Sequence, residues 1–203
     1  MIRKGLLLVV SGPSGAGKGT ICKALLTRNP EIQLSVSATT RSPRAGEVDG
    51  VNYHFITRET FESRIEKEGF IEHARVYDNY YGTPKANVMA ALDAGDDMLL
   101  EIDIQGAMQV RDRMPDGIYV FILPPSMSEL KNRIIKRGSE TQESLNKRFA
   151  SAYQEIDFIK KYDYYIINDD LENAVATLES IIRAEKHRVV QDIGAIIQEI
   201  KEI

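Results

Sequence analysis

One cysteine, Cys22, stands in 203 residues, so no disulfide can close within the chain. Tryptophan is absent, and the three histidines, His54, His73 and His187, lack the spacing of a metal site. No run approaches the roughly 20 apolar residues that span a bilayer. The apolar stretch Leu6 to Val10 is too short for the core of a typical secretory leader and runs straight into a glycine-rich loop. These absences make a reducing, cytoplasmic location the expectation. Strong charge of one sign is missing too. A net charge of -4 argues against nucleic acid or an anionic membrane as the main partner. With 43% hydrophobic and 28% charged residues, the composition is that of an ordinary globular chain, long enough for one substantial core.

Short apolar runs alternate with longer amphipathic segments, which predicts an α/β fold with a parallel sheet. Gly5 to Ser11 reads as a buried strand and Lys18 to Arg28 as a helix. Residues from about 34 to 82 break the rhythm with Thr, Arg, Tyr and Gly and with short alternating runs, interrupted by one helix near Arg58 to Lys67. They read as a small mixed-β insertion. The rhythm then resumes: a helix from Pro84 to Gly95, a strand Met98 to Asp103, a helix Gln105 to Arg113 and a strand Ile118 to Leu123. Ser126 and Glu129 can form a capping box for a helix to Lys136. A polar loop, Gly138 to Glu143, precedes a helix to about Lys161. A last strand, Tyr164 to Ile167, leads to one long helix starting at Asp170.

Chemistry concentrates first in Gly12-Pro13-Ser14-Gly15-Ala16-Gly17-Lys18-Gly19-Thr20. It follows a predicted strand and opens a predicted helix, the context of a P-loop. Glycines let consecutive amides curl around a phosphate, the helix start adds its dipole, and Lys18 reaches the β- and γ-phosphates. The general pattern has Ser or Thr directly after the lysine, as a magnesium ligand. Gly19 stands there instead, so Thr20, shifted by one position, is the candidate metal-binding hydroxyl. A second cluster, Ser35-x-Ser37-x-Thr39-Thr40-Arg41-x-Pro43-Arg44-x-Gly46-Glu47, carries two arginines whose forked donors suit a phosphate.

Together with Tyr53-His-Phe55, Phe70-Ile-Glu72, Asn79-Tyr80-Tyr81-Gly82-Thr83, Glu101-Ile-Asp103-Ile-Gln105-Gly106, Pro124-Pro125-Ser126, Arg137-Gly138, Arg148 and Asn168-Asp169-Asp170, this ordered set resembles the guanylate kinases over residues 5 to 185. The resemblance implies a three-layer P-loop NTPase fold in a single domain. Its core would be about 1–33, 84–125 and 155–203, its GMP-binding insertion about 34–83 and its mobile lid about 126–154. It implies transfer of the γ-phosphoryl of ATP to GMP, with Mg²⁺. It implies Arg41, Arg44, Tyr53 and Tyr81 around the GMP phosphate, and Ser37, Glu72, Thr83 and Asp103 near the base. It also places Glu101, which stands where some members carry Asp, in the GMP-binding set. Arg137 and Arg148 match lid arginines that close on the ATP phosphates, and Asn168 matches a position near the adenine. With Lys18, the arginines Arg41, Arg137 and Arg148 form the implied catalytic set. A kinase for another nucleoside monophosphate, or a non-catalytic guanylate-kinase-like interaction domain, are the alternatives.

The final helix carries Leu178, Ile182, Val189, Ile193, Ile196, Ile200 and Ile203. From Val189 the spacing is 4, 3, 4, 3, about two heptads. It serves either packing against the chain's own domain or a homo-oligomer contact.

Overall fold

The computed structural model describes residues 4–76, 78–136, 142–189 and 193–201. Its centre is a five-stranded sheet of β1 (Leu7–Ser11), β2 (Gln33–Leu34), β7 (Met98–Glu101), β8 (Ile118–Leu123) and β9 (Tyr164–Ile167). The order is β2-β7-β1-β8-β9 and every neighbouring pair is parallel. All five residues of β1 are buried, and alternate side chains leave a strand on opposite faces. Leu8 and Val10 share a core with Ile21 and Leu25 of α1 (Lys18–Arg28) and Val175 and Leu178 of α7 (Leu171–Lys186). Leu7 and Val9 share another with Val88 and Leu92 of α3 (Lys85–Ala94) and Ala107 and Val110 of α4 (Ile104–Arg113). Helices therefore cover both faces, and the three-layer α/β expectation holds.

The insertion is a second sheet. Its strands β3 (Ala38–Thr39), β4 (His54–Phe55), β5 (Phe70–Val76) and β6 (Asn79–Pro84) run in the order β4-β3-β6-β5. β3 and β4 are parallel and the other pairs antiparallel, so the sheet is mixed. Phe61 of α2 (Arg58–Glu66) and Phe70 stack at 4.3 Å in its core beside Ala38. Ile71, the next residue, packs in the main core with Val9 and Leu100. β5 is thus anchored in both bodies of hydrophobic packing. α5 (Met127–Lys136) and α6 (Gln142–Glu155) join through Leu130, Ile134 and Ala152.

Three segments differ from the sequence expectation. The helix expected to reach Lys161 ends as α6 at Glu155, and a 3₁₀ stretch, Ile156–Lys161, follows. The single long final helix is divided: α7 ends at Lys186, and α8 spans Ile193–Lys201. The buried face of α7 stops at Ile182, and His187 leaves helical geometry with φ -108° and ψ 5°. Beyond Ile182 no further side chain of α7 is buried, and its last turn is held by polar contacts of Glu185 to Tyr164 and of Lys186 to Asp97. Strand β7 stops at Glu101, and Asp103 caps α4 instead of ending the strand. Of the expected polar loop, residues 138–141 lie outside the described residues, and Gln142 and Glu143 already belong to α6. Among the described residues, no helix is long and apolar enough to cross a membrane.

Candidate active site

The carboxyl ends of β1, β7 and β9 meet on one side of the sheet. β1 delivers Ser11 into the loop Gly12 to Gly17, and α1 begins at Lys18. The Lys18 ammonium curls back over the loop and donates to the carbonyls of Gly12 at 2.5 Å and Pro13 at 3.2 Å. Burial lowers its pKa, while Glu101, Glu155 and Asp103 pull it back up. Thr20 lies exposed on the first turn of α1, with Ser14 exposed on the loop and Ala16 buried under it.

Asn168, just beyond β9, braces the loop from below. Its side-chain amide donates to the Ala16 carbonyl at 2.7 Å, and its backbone N–H donates to Leu123 at 2.8 Å. Gly17 has φ +96°, and a Cβ there would lie 2.1 Å from the Asn168 amide nitrogen, so only glycine fits. Two residues that sequence patterns did not single out join this wall. Arg133 donates to the Asn168 carbonyl at 3.0 Å and to Glu129 at 3.0 Å. Its visible signal was only the i,i+4 spacing from Glu129 on a capped helix. Glu155, half-buried at the end of α6, faces Lys18 and the Ser14 amide, and burial raises its pKa. No sequence signal marks it, because that contact crosses about 140 residues of chain.

Glu101, at the end of β7 beside β1, comes close to the position after Lys18. A Cβ on Gly19 would stand 3.1 Å from the Glu101 Oε1. A side chain there would require the carboxylate to shift by a few tenths of an ångström. Burial raises the Glu101 pKa and Lys18 opposes the rise. Asp103 keeps one oxygen on the Gly106 amide at 2.7 Å as the α4 cap. Among the described residues, no group of three or more His, Cys, Asp or Glu side chains could hold a metal ion alone. Carboxylates at Glu101 and Asp103 fit Mg²⁺ that brings its remaining oxygen ligands as water and phosphate.

The insertion carries the two arginines of the expected phosphate clamp. Arg41 donates both terminal nitrogens to Glu47 at 2.9 Å and one of them to the Ser42 carbonyl at 2.8 Å. This fork, with the Arg44 amide at 2.7 Å, holds the Glu47 carboxyl at about 2 and raises the Arg41 pKa. The Arg41 guanidinium lies 5.5 Å from the Tyr53 ring centre, and Tyr53 meets Tyr81 edge-on at 5.9 Å. The Arg44 side chain is exposed. Tyr53 is half-buried, which raises its phenol pKa, and it feels Glu101 as well as the clamp residues Tyr81, Arg41 and Glu47.

Glu72, on β5 of the insertion, is only 6% exposed. The Thr83 hydroxyl donates to its Oε1 at 2.7 Å. A Cβ on Gly106 would stand 2.8 Å from Glu72 Oε2 and 3.4 Å from Asp103 Oδ1, so both carboxylates border one point. Burial pushes the Glu72 carboxyl up to about 7; Thr83 lowers it and Asp103 adds to the rise. Ser37 is half-buried just before β3, and its carbonyl accepts from the His54 N–H at 2.8 Å. Arg137 lies outside the described residues. Arg148 falls on α6, and its side chain likewise lies outside the described ones.

A parallel sheet whose first strand feeds a glycine loop and a lysine-led helix, joined to a mixed-sheet insertion, defines the P-loop class of phosphate-binding α/β proteins. Within that class the chain belongs to the guanylate kinase family. The family model described as guanylate kinase matches residues 4–185. The chain is 62% identical to a guanylate kinase of Clostridium perfringens over 186 residues, 92% of this chain and 86% of that protein. It is 58% identical to the guanylate kinase of Clostridioides difficile over 99% of this chain and 98% of that one. The crystal structure of guanylate kinase from Anaplasma phagocytophilum superposes with a TM-score of 0.75 at 36% identity, covering 92% of this chain and 89% of that one.

Proposed function

We propose that this chain transfers the γ-phosphoryl group of ATP to GMP, releasing ADP and GDP. The observation that carries the reading is the buried Glu72 carboxyl, held by Thr83 and bordering the same point as Asp103. Guanine offers its N1–H and 2-amino group as adjacent donors, which a carboxylate accepts in parallel. Adenine offers neither, and would leave a buried carboxylate unpaired, a difference on the order of 10⁴-fold.

On this reading Ser37, Glu72, Thr83 and Asp103 read the base. Arg41, Arg44, Tyr53 and Tyr81 hold the acceptor phosphate. Gly12 to Thr20 holds the donor, with Asn168 at the adenine end of the loop that it braces. The core, the insertion at about 34–83 and the lid at about 126–154 act as one domain, and the lid brings Arg137 and Arg148 over the donor phosphates. Glu101 and Asp103, with Thr20 as a further hydroxyl, would hold Mg²⁺, which would supply charge neutralisation for the transferring group. No strong general base is needed. The protein aligns two anions and spreads compensating charge from Lys18 and the arginines around the moving phosphoryl. A cytoplasmic setting accords with the single buried thiol of Cys22. The apolar face of α8 supports a homo-oligomer contact.

A coupled assay with ATP and each nucleoside monophosphate in turn tests the function. The expected result is turnover with GMP and at least about 10³-fold lower kcat/KM with AMP. Preference for AMP would refute the base assignment, and no turnover with any acceptor would favour an interaction module. Lys18→Ala is expected to lower turnover by about 10² or more with the fold intact.

A further inference from the structure

β5 is the outer strand of the insertion sheet, so one of its edges has no strand partner. Exposed or buried, an unpaired strand edge leaves N–H and C=O groups to satisfy. Here α4 covers that edge with side chains spaced i, i+3 and i+7, one helix face. Gly106 leaves room for Glu72, whose Oε2 would lie 2.8 Å from a Cβ at that position. Gln109 pairs with the peptide of His73 twice over. Its Oε1 accepts from the His73 N–H at 3.2 Å, and its Nε2 donates to the His73 carbonyl at 3.0 Å. Arg113 donates to the carbonyls of Phe70 at 2.9 Å and Ile71 at 2.6 Å. These contacts flank Glu72 on both sides.

The ladder to β6 shifts register between Phe70 and Glu72. Such a bulge re-aims the side chain beside it. Phe70 consequently packs in the insertion, Ile71 in the main core, and Glu72 meets Thr83. The same helix that grips this irregular strand has Asp103 as its cap. One rigid element thus carries one base-facing carboxylate and fixes the strand that carries the other.

We propose that Gln109 is a positioning residue for acceptor selection: its double hydrogen bond to the His73 peptide sets the spacing between Glu72 and Asp103. Gln109 touches neither substrate and acts through the strand. This rests on the GMP reading above. It goes beyond it by assigning part of the base discrimination to a residue on the back of the acceptor site.

The test compares Gln109→Leu, which removes both bonds at similar volume, with Gln109→Glu, which keeps the acceptor for the His73 N–H. Kinetics are measured with GMP and with inosine monophosphate, whose base lacks the 2-amino group, at saturating ATP. In Gln109→Leu, the KM for GMP is expected to rise about tenfold, the loss of one to two hydrogen bonds. kcat and the KM for ATP should stay within about twofold, and the preference for GMP over inosine monophosphate should fall several-fold. Gln109→Glu should recover part of that preference. Should Gln109→Leu fail to fold, the same preference in Gln109→Glu decides, a value between wild type and equality being required. A lower melting temperature with unchanged preference would reduce Gln109 to an edge cap and overturn the proposal. So would an equal rise in both substrates' KM. A wild-type chain inactive on GMP would overturn the function itself, whereas an active wild type with unaltered variants would sink only the role of Gln109.

Discussion

Burial moves the Glu72 carboxyl from 4.5 to about 7, with the neighbouring Asp103 charge adding to the rise. The unfolded chain releases this proton near the ordinary value, while the folded chain keeps it until about pH 7. The Glu72 contribution to stability is therefore full below about pH 4.5, is lost as pH climbs to 7, and stays lower by roughly 3 kcal/mol above it. Glu72→Gln keeps an acceptor for Thr83 and carries no proton to lose. Its stability relative to wild type, from urea unfolding, is expected to be equal at pH 4.5 and to grow in its favour up to pH 7. Function runs the other way. Pairing with N1–H and the 2-amino group needs the ionised carboxylate, so the KM for GMP should fall about tenfold between pH 6 and pH 8. In Glu72→Gln that slope should flatten to what the GMP phosphate alone contributes. An unchanged slope in the variant would remove Glu72 from base recognition.

At the scale of elements, the Asn168 turn between β9 and α7 couples the last strand to the phosphate loop through one amide. Asn168→Ala deletes a buried hydrogen bond worth roughly 1 kcal/mol and the contact that fits Gly17. The KM for ATP is expected to rise about fivefold with the KM for GMP within about twofold, from initial rates at varied donor and acceptor. Equal effects on both substrates would mean that the turn supports the whole molecule rather than the donor loop. The loop itself was legible in sequence because a phosphate nest is local: strand, glycines, lysine and helix follow one another. Strand β1 was legible because all its residues are apolar or small and the loop ends it. What braces the nest was not. Asn168 reaches Ala16 across about 150 residues, Arg133 reaches Asn168 across 35, and Gln109 reaches His73 across 36. Such pairs exist only after the sheet order brings their elements together. The neighbour of Gly19 was hidden too: only when β7 lies beside β1 does the Glu101 carboxylate come within 3.1 Å of a Cβ at that position. The break after Lys186 was equally hidden. Apolar periodicity runs on through it, and it is the end of the buried face, not a glycine or proline, that stops the helix.

For the whole molecule, the division of the final helix changes what the apolar tail can do. Had it continued as one helix, its stripe would have extended the face that already packs against α1 and the sheet. Instead α8 follows the break, with Ile197 45% and Ile200 67% exposed and Val189 74% exposed ahead of it. Nine residues make a helix about 14 Å long, too short to bury by itself the 1,000 Å² or so of a stable interface. A pair of α8 helices from two copies would therefore give a contact that dissociates on dilution, unless neighbouring surface joins it. Light scattering at rising protein concentration is expected to show the mass climbing from one chain towards two. A chain truncated after Arg188 should stay at one chain throughout, with ATP and GMP kinetics within about twofold of the full chain, since every residue assigned to the substrates lies before the cut. Equal masses for the two chains at every concentration would exclude α8 as the contact and leave its apolar face to a role within the chain.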